Sequence, residues 1–313
     1  MPFYLVWTEE IIVLTIGLVC LGVVLHLVRK PDGVRTGQSV VGRLAALIVF
    51  AGIIVFSLTR FWFHSELPGA TWRNSIPLAA ASLAIILYAN AGVRPLPAVP
   101  PREIDVAPRT MWSFGPRAWF AGWVTFAGLL SATVLLAGLA SSTDGEGRHT
   151  IIVLDVGSSQ AGTIFFGWAF GVPVLFFLAV LSAVNCFALS RIARPAMPAD
   201  PLQRSLEASI RRNQVRTVLA LSVGAITFTL GAALNFISRA ASLGASVPRP
   251  DGVRIELGSS FAALQIPLTI SGLLLQGLGV ALVVLPLFQS SHKTSANVLG
   301  TDRTRVTAER TSD

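Results

Sequence analysis

The dominant pattern along the chain is a series of long apolar runs, each bounded by charged or turn-forming residues. A helix needs roughly 20 mostly apolar residues to cross the hydrocarbon core of a bilayer, and seven runs come close to or exceed that length. The fifth and seventh runs are the longest, and prolines at positions 173, 267 and 286 give them places to bend. The pattern predicts seven transmembrane helices, at residues 11–28, 44–63, 75–93, 118–140, 163–190, 217–238 and 261–288.

Composition agrees with this pattern. Hydrophobic residues make up 53% of the 313 positions and charged residues only 13%, which is too apolar for an ordinary soluble domain. The mean hydropathy of +0.67 points the same way. We therefore expect an all-α polytopic membrane protein, with β structure restricted to its loops.

The basic residues predict how the helices are oriented. Of the 24 Lys and Arg residues, 18 fall on the side of the 1-2, 3-4 and 5-6 loops and the C-terminal tail, and six fall on the other side. Because Lys and Arg are retained on the cytoplasmic side, the N-terminus is expected outside and the C-terminus in the cytoplasm of a plasma (inner) membrane. The same bias accounts for the net charge of +8 without nucleic acid as a partner. The Arg-rich, Ala- and Gly-rich composition suggests a bacterial source.

A short sequence occurs twice in loops on the outer side. Residues 152–159 read Ile-Val-Leu-Asp-Val-Gly-Ser-Ser, and residues 253–260 read Val-Arg-Ile-Glu-Leu-Gly-Ser-Ser. Both alternate like β-strands, and each lies in the outer loop of a helical hairpin, spans 4-5 and spans 6-7. The two hairpins have the same orientation, which predicts an internal duplication. The expected organisation is transmembrane helices 1-3 in residues 1–93, a proline-rich cytoplasmic linker in 94–117, duplicated hairpins with helices 4-7 in 118–288, and a disordered cytoplasmic tail in 289–313.

The repeated strands allow two interpretations. In the first, the strands pair with each other as a small extracytoplasmic β cap over the helix ends. In the second, Asp155 and Glu256, which occupy the same place in each copy, form an extracytoplasmic site for a cation or an amine, with Asp144, Glu146 and His149 nearby in sequence. The first interpretation is favoured, because acidic residues on the outer face of a strand need no further explanation.

The spans carry no charged residue near their centres, which argues against a proton-coupled carrier. No spacing of the four histidines fits a metal site, and no catalytic or cofactor motif is recognisable, so we expect neither metal nor cofactor and no enzymatic activity. Neutral polar residues do occur within spans. They either hydrogen-bond between helices or line a pathway for a polar or zwitterionic solute. The candidates are Asn185, Asn235, Gln265 and Gln276.

The 5-6 loop contains a second set of candidates. A helix is expected to begin at Asp200 and Pro201, with an apolar face and several arginines mostly off that face. Such a helix either leads directly into the sixth span or lies at the membrane surface, where its arginines contact anionic lipid or a partner. These arginines are Arg204, Arg211, Arg212 and Arg216.

Two functions follow from these observations. The favoured one is a permease-like or transport-accessory protein for a small polar solute, with membrane lipids as surroundings. The alternative is a non-transporting sensor or scaffold that binds a protein partner, or a second copy of itself, through its basic cytoplasmic loops.

Overall fold

The computed structural model describes residues 3–27, 38–62, 70–91, 115–156, 159–195, 201–242, 244–248 and 254–288. The proline-rich linker up to residue 114 and the tail 289–313 therefore lie outside the described residues. Two 3₁₀ turns, Ala70–Ser75 and Ala262–Leu264, precede the third and seventh helices. The helices within the described residues are α1 (Phe3–Leu27), α2 (Gln38–Trp62), α3 (Ile76–Ala91), α4 (Arg117–Ala140), α5 (Trp168–Ala193), α6 (Pro201–Ala241) and α7 (Gln265–Phe288).

The apolar runs of the sequence each coincide with a helix. Among the described residues, six helices are long and apolar enough to cross a membrane, and α1 contributes a shorter apolar stretch, Ile11–Val23. Their outward faces carry large apolar side chains, such as Leu18, Leu139 and Ile266, which are 70%, 75% and 69% exposed. Faces this apolar are suited to lipid rather than water. The prediction of a helical, multi-pass membrane protein is confirmed at this level.

Helix α6 is the centre of the bundle. It packs most extensively against α7 and also against α4, α3 and α5. In its most apolar stretch 94% of the residues are buried, because other helices surround it. The helix is continuous over 41 residues, so the predicted 5-6 loop helix and the sixth span are one element. At about 1.5 Å per residue it is about 60 Å long, roughly twice the hydrocarbon thickness.

The strands occupy the two loops in which the sequence predicts them, but their pairing differs. The loop between α4 and α5 forms an antiparallel sheet in the order β1 (Ser142–Thr143), β2 (His149–Val156), β3 (Ser159–Ile164). The loop between α6 and α7 forms a separate antiparallel pair, β4 (Gly244–Pro248) with β5 (Arg254–Gly258).

The expectation that the two repeated strands pair with each other is therefore wrong. Strand β2 is central in its sheet, pairing with β3 along residues 151–156 and with the two-residue β1 at His149 and Ile151. The repeated strands also choose partners differently, since β2 pairs with the strand that follows it and β5 with the strand that precedes it. The duplication of the hairpins stays a prediction.

Aromatic side chains connect the strands to the helix ends below them. Phe166 and Phe170, at the start of α5, lie 5.8 and 5.1 Å from the ring of Phe236 in α6. Phe165 contacts Phe261, which follows β5, at 6.1 Å. The two strand-bearing loops thus contact each other through the rings of Phe165 and Phe261. We call this end of the bundle the strand end, and the opposite end, where α5 ends and α6 begins, the arginine end.

Candidate functional site

The contact between α6 and α7 is built from small residues at heptad spacing. Gly224 and Gly231 are seven residues apart on α6, and Gly272 and Gly279 are seven apart on α7. A Cβ atom placed on Gly224 would lie 2.9 Å from the carbonyl oxygen of Gly279, which is too close for a real side chain. Gly231 faces Gly272 in the same way. The two antiparallel backbones therefore touch at two levels, an approach that only glycine permits.

Two carboxamides flank the Gly231–Gly272 level. A Cβ atom on Gly272 would lie 2.6 Å from Cγ of Asn235, and one on Gly231 would lie 2.9 Å from Cγ of Gln276. Asn235 and Gln276 are only 5% and 2% exposed. Asn235 Oδ1 and Gln276 Nε2 are both buried and have no hydrogen-bond partner. We call these four residues, Gly231, Asn235, Gly272 and Gln276, the carboxamide crossing.

A hydroxyl chain continues from the carboxamide crossing toward the strand end. The Thr269 hydroxyl of α7 lies 3.0 Å from the Ser238 hydroxyl of α6 and 2.9 Å from the carbonyl oxygen of Gln265, so two acceptors share its single proton. Ser238 in turn lies 3.0 Å from the carbonyl oxygen of Asn235, to which it donates. Polar side chains from both helices therefore form a row along the contact between α6 and α7, although they lie in two separate segments of the sequence.

The third buried carboxamide lies between α5 and α6. Asn185 is 2% exposed, and its Oδ1 is 2.6 Å from the Ser222 hydroxyl. That hydroxyl also lies 2.9 Å from the carbonyl oxygen of Val218, so two acceptors share its single proton. The Nδ2 group of Asn185 is buried and has no partner. Asn185 is thus only partly satisfied by its neighbours.

The fourth predicted polar residue does not join this group. Gln265 is the first residue of α7 and its side chain is exposed. The structure therefore brings Asn235 and Gln276 together at the contact between α6 and α7. Asn185 of α5 packs against another face of α6, and Gln265 lies at the strand end. Reasoning from the sequence missed Ser222, Ser238, Thr269 and the glycines. The heptad spacing of those glycines was the one available signal for them.

Asp155 and Glu256 lie in different sheets. Asp155 in β2 is opposite Gln160, and Glu256 in β5 is opposite Ser246. The backbone pairing therefore does not join the two strands that carry Asp155 and Glu256. Their role as a candidate extracytoplasmic site stays a prediction.

Asp144 has a structural role in the turn between β1 and β2. Its Oδ1 accepts the backbone N–H groups of Glu146 and Arg148 at 2.9 Å, and its Oδ2 accepts from Thr150 Oγ1 at 2.8 Å and from Arg148 Nε at 3.1 Å. The backbone N–H of Arg148 and the Thr150 hydroxyl are the main reasons that the pKa of Asp144 lies well below its usual range. Gly147, with φ of +76°, lets the chain reverse. The Asp144 carboxylate therefore makes its hydrogen bonds within its own turn.

At the arginine end, Arg211 is buried rather than presented to lipid. Its side chain is 2% exposed, Nε donates to Glu207 Oε1 at 2.8 Å, and Nη1 donates to the carbonyl oxygen of Pro195 at 2.8 Å. The carbonyl oxygen of Ala193, the last residue of α5, is 3.5 Å from Nη1. Carbonyls at a helix C-terminus lack partners within the helix, so Arg211 joins α6 to the end of α5.

The other three arginines of this set are more accessible. Arg204 and Arg212 are exposed and Arg216 is half-buried. Among the described residues, no group of three His, Cys, Asp or Glu side chains could hold a metal ion.

Comparison with known proteins adds no relative. No protein-family model matches the chain, and no curated protein or solved structure shows significant similarity to it.

Proposed function

We propose that the chain is a permease-like or transport-accessory protein for a small polar solute, which passes along α6 between α5 and α7. One observation carries this proposal: Asn185, Asn235 and Gln276 are each buried with one unpartnered amide atom. An unsatisfied buried polar group costs about 1–3 kcal/mol, so three of them are a large penalty for a bundle that only needs to pack. A solute with hydrogen-bonding groups would supply the missing partners.

The proposal places the strand end outside and the arginine end in the cytoplasm of the plasma membrane. The distribution of Lys and Arg supports this orientation. Glu146→Cys and Arg212→Cys, each introduced after replacing Cys20 and Cys186 with Ala, test it in intact cells. A membrane-impermeant maleimide should label the variant at Glu146 directly and the variant at Arg212 only after permeabilisation. The reverse result would invert the topology.

The transport proposal is tested by solute entry into proteoliposomes. Vesicles exposed to a hyperosmotic solute shrink and then reswell as the solute enters, which stopped-flow light scattering records. We expect the protein to accelerate reswelling in urea or glycerol above the rate of protein-free vesicles. Glycine, a zwitterion, should enter more slowly, since the described parts of α6 between residues 217 and 238 and of α7 carry no charged side chain. Equal rates with and without protein for all three solutes would contradict the proposal.

The scaffold function is retained as a second candidate, because one feature of α6 favours it. This helix is much longer than a membrane is thick, and its N-terminal part exposes Arg204 and Arg212. Exposed arginines offer a charged surface to a protein partner or to a second copy of the chain. If this is their role, Arg204→Gln with Arg212→Gln should remove protein that co-purifies with the wild-type chain in mild detergent, as identified by mass spectrometry. Unchanged co-purifying protein would argue against it.

A further inference from the structure

Arg191, near the C-terminus of α5, is held close to the apolar surface of the bundle. Its Nη1 donates a hydrogen bond of 2.6 Å to Oδ1 of Asn90, which lies at the C-terminal end of α3. Its guanidinium carbon is 5.7 Å from the centre of the Phe187 ring. Phe187 is one turn earlier on α5 and therefore nearer the middle of the span. The guanidinium thus lies back along α5, whereas arginines at span ends usually extend outward to water.

The positive charge at this position has no described carboxylate beside it. Arg194 follows Arg191 by three residues and keeps helical backbone angles, so the two side chains leave the same side of the helix, and Arg194 is exposed. Neither arginine forms an ion pair with a carboxylate among the described residues. The described hydrogen bond to Asn90 uses one of the five N–H donors of Arg191. Because a cation at the edge of hydrocarbon is costly without a counter-ion, this position favours a bound anion.

The surface next to this charge is apolar and belongs to both helices. On α3, Leu83 and Leu87 are 53% and 46% exposed, and they lie on the same side of the helix as Asn90, seven and three residues before it. On α5, Phe187 is 47% exposed. The hydrogen bond between Arg191 and Asn90 joins the two helices above these side chains. We call this surface the α3–α5 face; it consists of Leu83, Leu87, Asn90, Phe187, Arg191 and Arg194.

A phospholipid matches both the charged and the apolar part of the α3–α5 face. A phosphodiester offers oxygen acceptors to the forked N–H groups of arginine, which bind phosphate in a bidentate manner. An acyl chain of the same molecule covers the exposed apolar side chains nearer the middle of the membrane. A headgroup with a net negative charge complements two arginines better than a zwitterionic headgroup, whose own ammonium group already neutralises its phosphate.

We infer that the α3–α5 face binds an anionic phospholipid. The lipid phosphate contacts Arg191 and Arg194, and an acyl chain lies along the three apolar side chains of the face. This site is on the outer surface of the bundle, so it is separate from the proposed solute path along α6 and does not depend on transport.

Native mass spectrometry of the full-length protein in mild detergent tests this inference. Dioleoyl phosphatidylglycerol is the anionic probe, and dioleoyl phosphatidylcholine is a zwitterionic probe with the same acyl chains. Phosphatidylglycerol should bind the wild-type protein more tightly than phosphatidylcholine does. Arg191→Gln with Arg194→Gln should weaken the binding of phosphatidylglycerol about thirtyfold, because each arginine beside an anionic headgroup contributes a factor of about five.

The matched control is Arg117→Gln with Arg212→Gln. Both arginines are exposed at the arginine end, on α4 and α6, and neither belongs to the α3–α5 face. This variant loses the same charge, so a general attraction between the protein and anionic lipid would fall equally in both variants. The affinity of the control for phosphatidylglycerol should stay within about twofold of wild type, because exposed charges away from the bound lipid are screened.

The inference is overturned if the wild-type protein binds the two lipids equally, or if the control loses as much affinity as the Arg191→Gln/Arg194→Gln variant. Displacement of phosphatidylglycerol by an equal concentration of inorganic phosphate would also overturn it, since the site would then take a free anion. A protein dimer that the Arg191→Gln/Arg194→Gln variant no longer forms would instead assign the face to a second copy. Should that variant fail to fold, the comparison of the two lipids on the wild-type protein still decides.

Discussion

Single glycines set the distance between α6 and α7. At Gly231 and Gly272 the backbone of one helix lies where a side chain of the other would be. This close approach also brings the side chains of Asn235 and Gln276 against the opposite backbone. The identity of these two glycines therefore determines the geometry of the carboxamide crossing.

Gly231→Ala tests this point. The new methyl group would collide with the backbone of α7, so the helices must separate, and the free energy of unfolding should fall by about 1–3 kcal/mol. Thermal unfolding in mild detergent measures the effect. Gly128→Ala adds the same methyl group where space is open and should remain within about 1 kcal/mol of wild type. Similar losses in both variants would show that the contact is not the cause.

The sequence reveals the buried carboxamides more readily than the glycines. Asn185, Asn235 and Gln276 stand out because each interrupts an apolar run. The chain has 27 glycines, and spacing alone does not say which of them face another helix. Their importance depends on the register of α6 against α7, which is set by tertiary packing. The burial of Arg211 was likewise unpredictable, because its carbonyl partners lie at the end of α5 and just after it.

At the scale of elements, α6 is anchored to α5 by a buried ionic contact. Arg211 connects Glu207, one turn earlier on α6, to the carbonyl oxygen of Pro195 just after α5. The side chains of Arg211 and Glu207 are only 2% and 16% exposed. This contact fixes where the extended N-terminal part of α6 leaves the bundle.

Arg211→Gln should destabilise the protein substantially. The change leaves the Glu207 carboxylate and a helix-terminal carbonyl without their donor, which should cost about 2–3 kcal/mol in thermal unfolding measurements. Arg212→Gln, one residue later but exposed, removes the same charge and should have little effect. Equal stability of the two variants would mean that the buried contact contributes nothing.

The turn held by Asp144 should lose its support in acid. Because its folded-state pKa is depressed, Asp144 contributes stability above its ordinary pKa of about 4, and that contribution disappears as the pH falls through the lower folded value. Asp144→Asn should therefore melt below wild type at pH 7, and the difference should shrink as the pH is lowered below about 4. A difference that is constant with pH would exclude the carboxylate as the cause.

Strands β2 and β5 could be predicted from their alternation, but their partners could not. Strands β3 and β4 read Ser-Gln-Ala-Gly-Thr-Ile and Gly-Ala-Ser-Val-Pro, which are rich in small residues of low strand propensity. Their strand conformation comes from pairing with a stronger neighbour. The register places Val156 opposite Ser159, so the first repeated strand is followed by another strand and not directly by a helix.

At the scale of the whole molecule, the other helices surround the central part of one long helix. The exposed surfaces of α1, α4, α5 and α7 are apolar, whereas α6 between residues 217 and 238 is enclosed and includes Ser222, Asn235 and Ser238. Hydropathy predicted the helical class well, and six of the seven predicted spans coincide with described helices long and apolar enough to cross a membrane. Lipid imposes the same length and composition on every span. It could not predict which span lies at the centre.

The most direct test of the account is the rate of urea entry into proteoliposomes containing wild-type protein, the Asn235→Leu/Gln276→Met double variant or Gly128→Ala. The account predicts that wild type and Gly128→Ala reswell faster than protein-free vesicles, while the double variant, still folded by its melting transition, falls to the protein-free rate. A folded double variant that admits urea as fast as wild type would contradict the account.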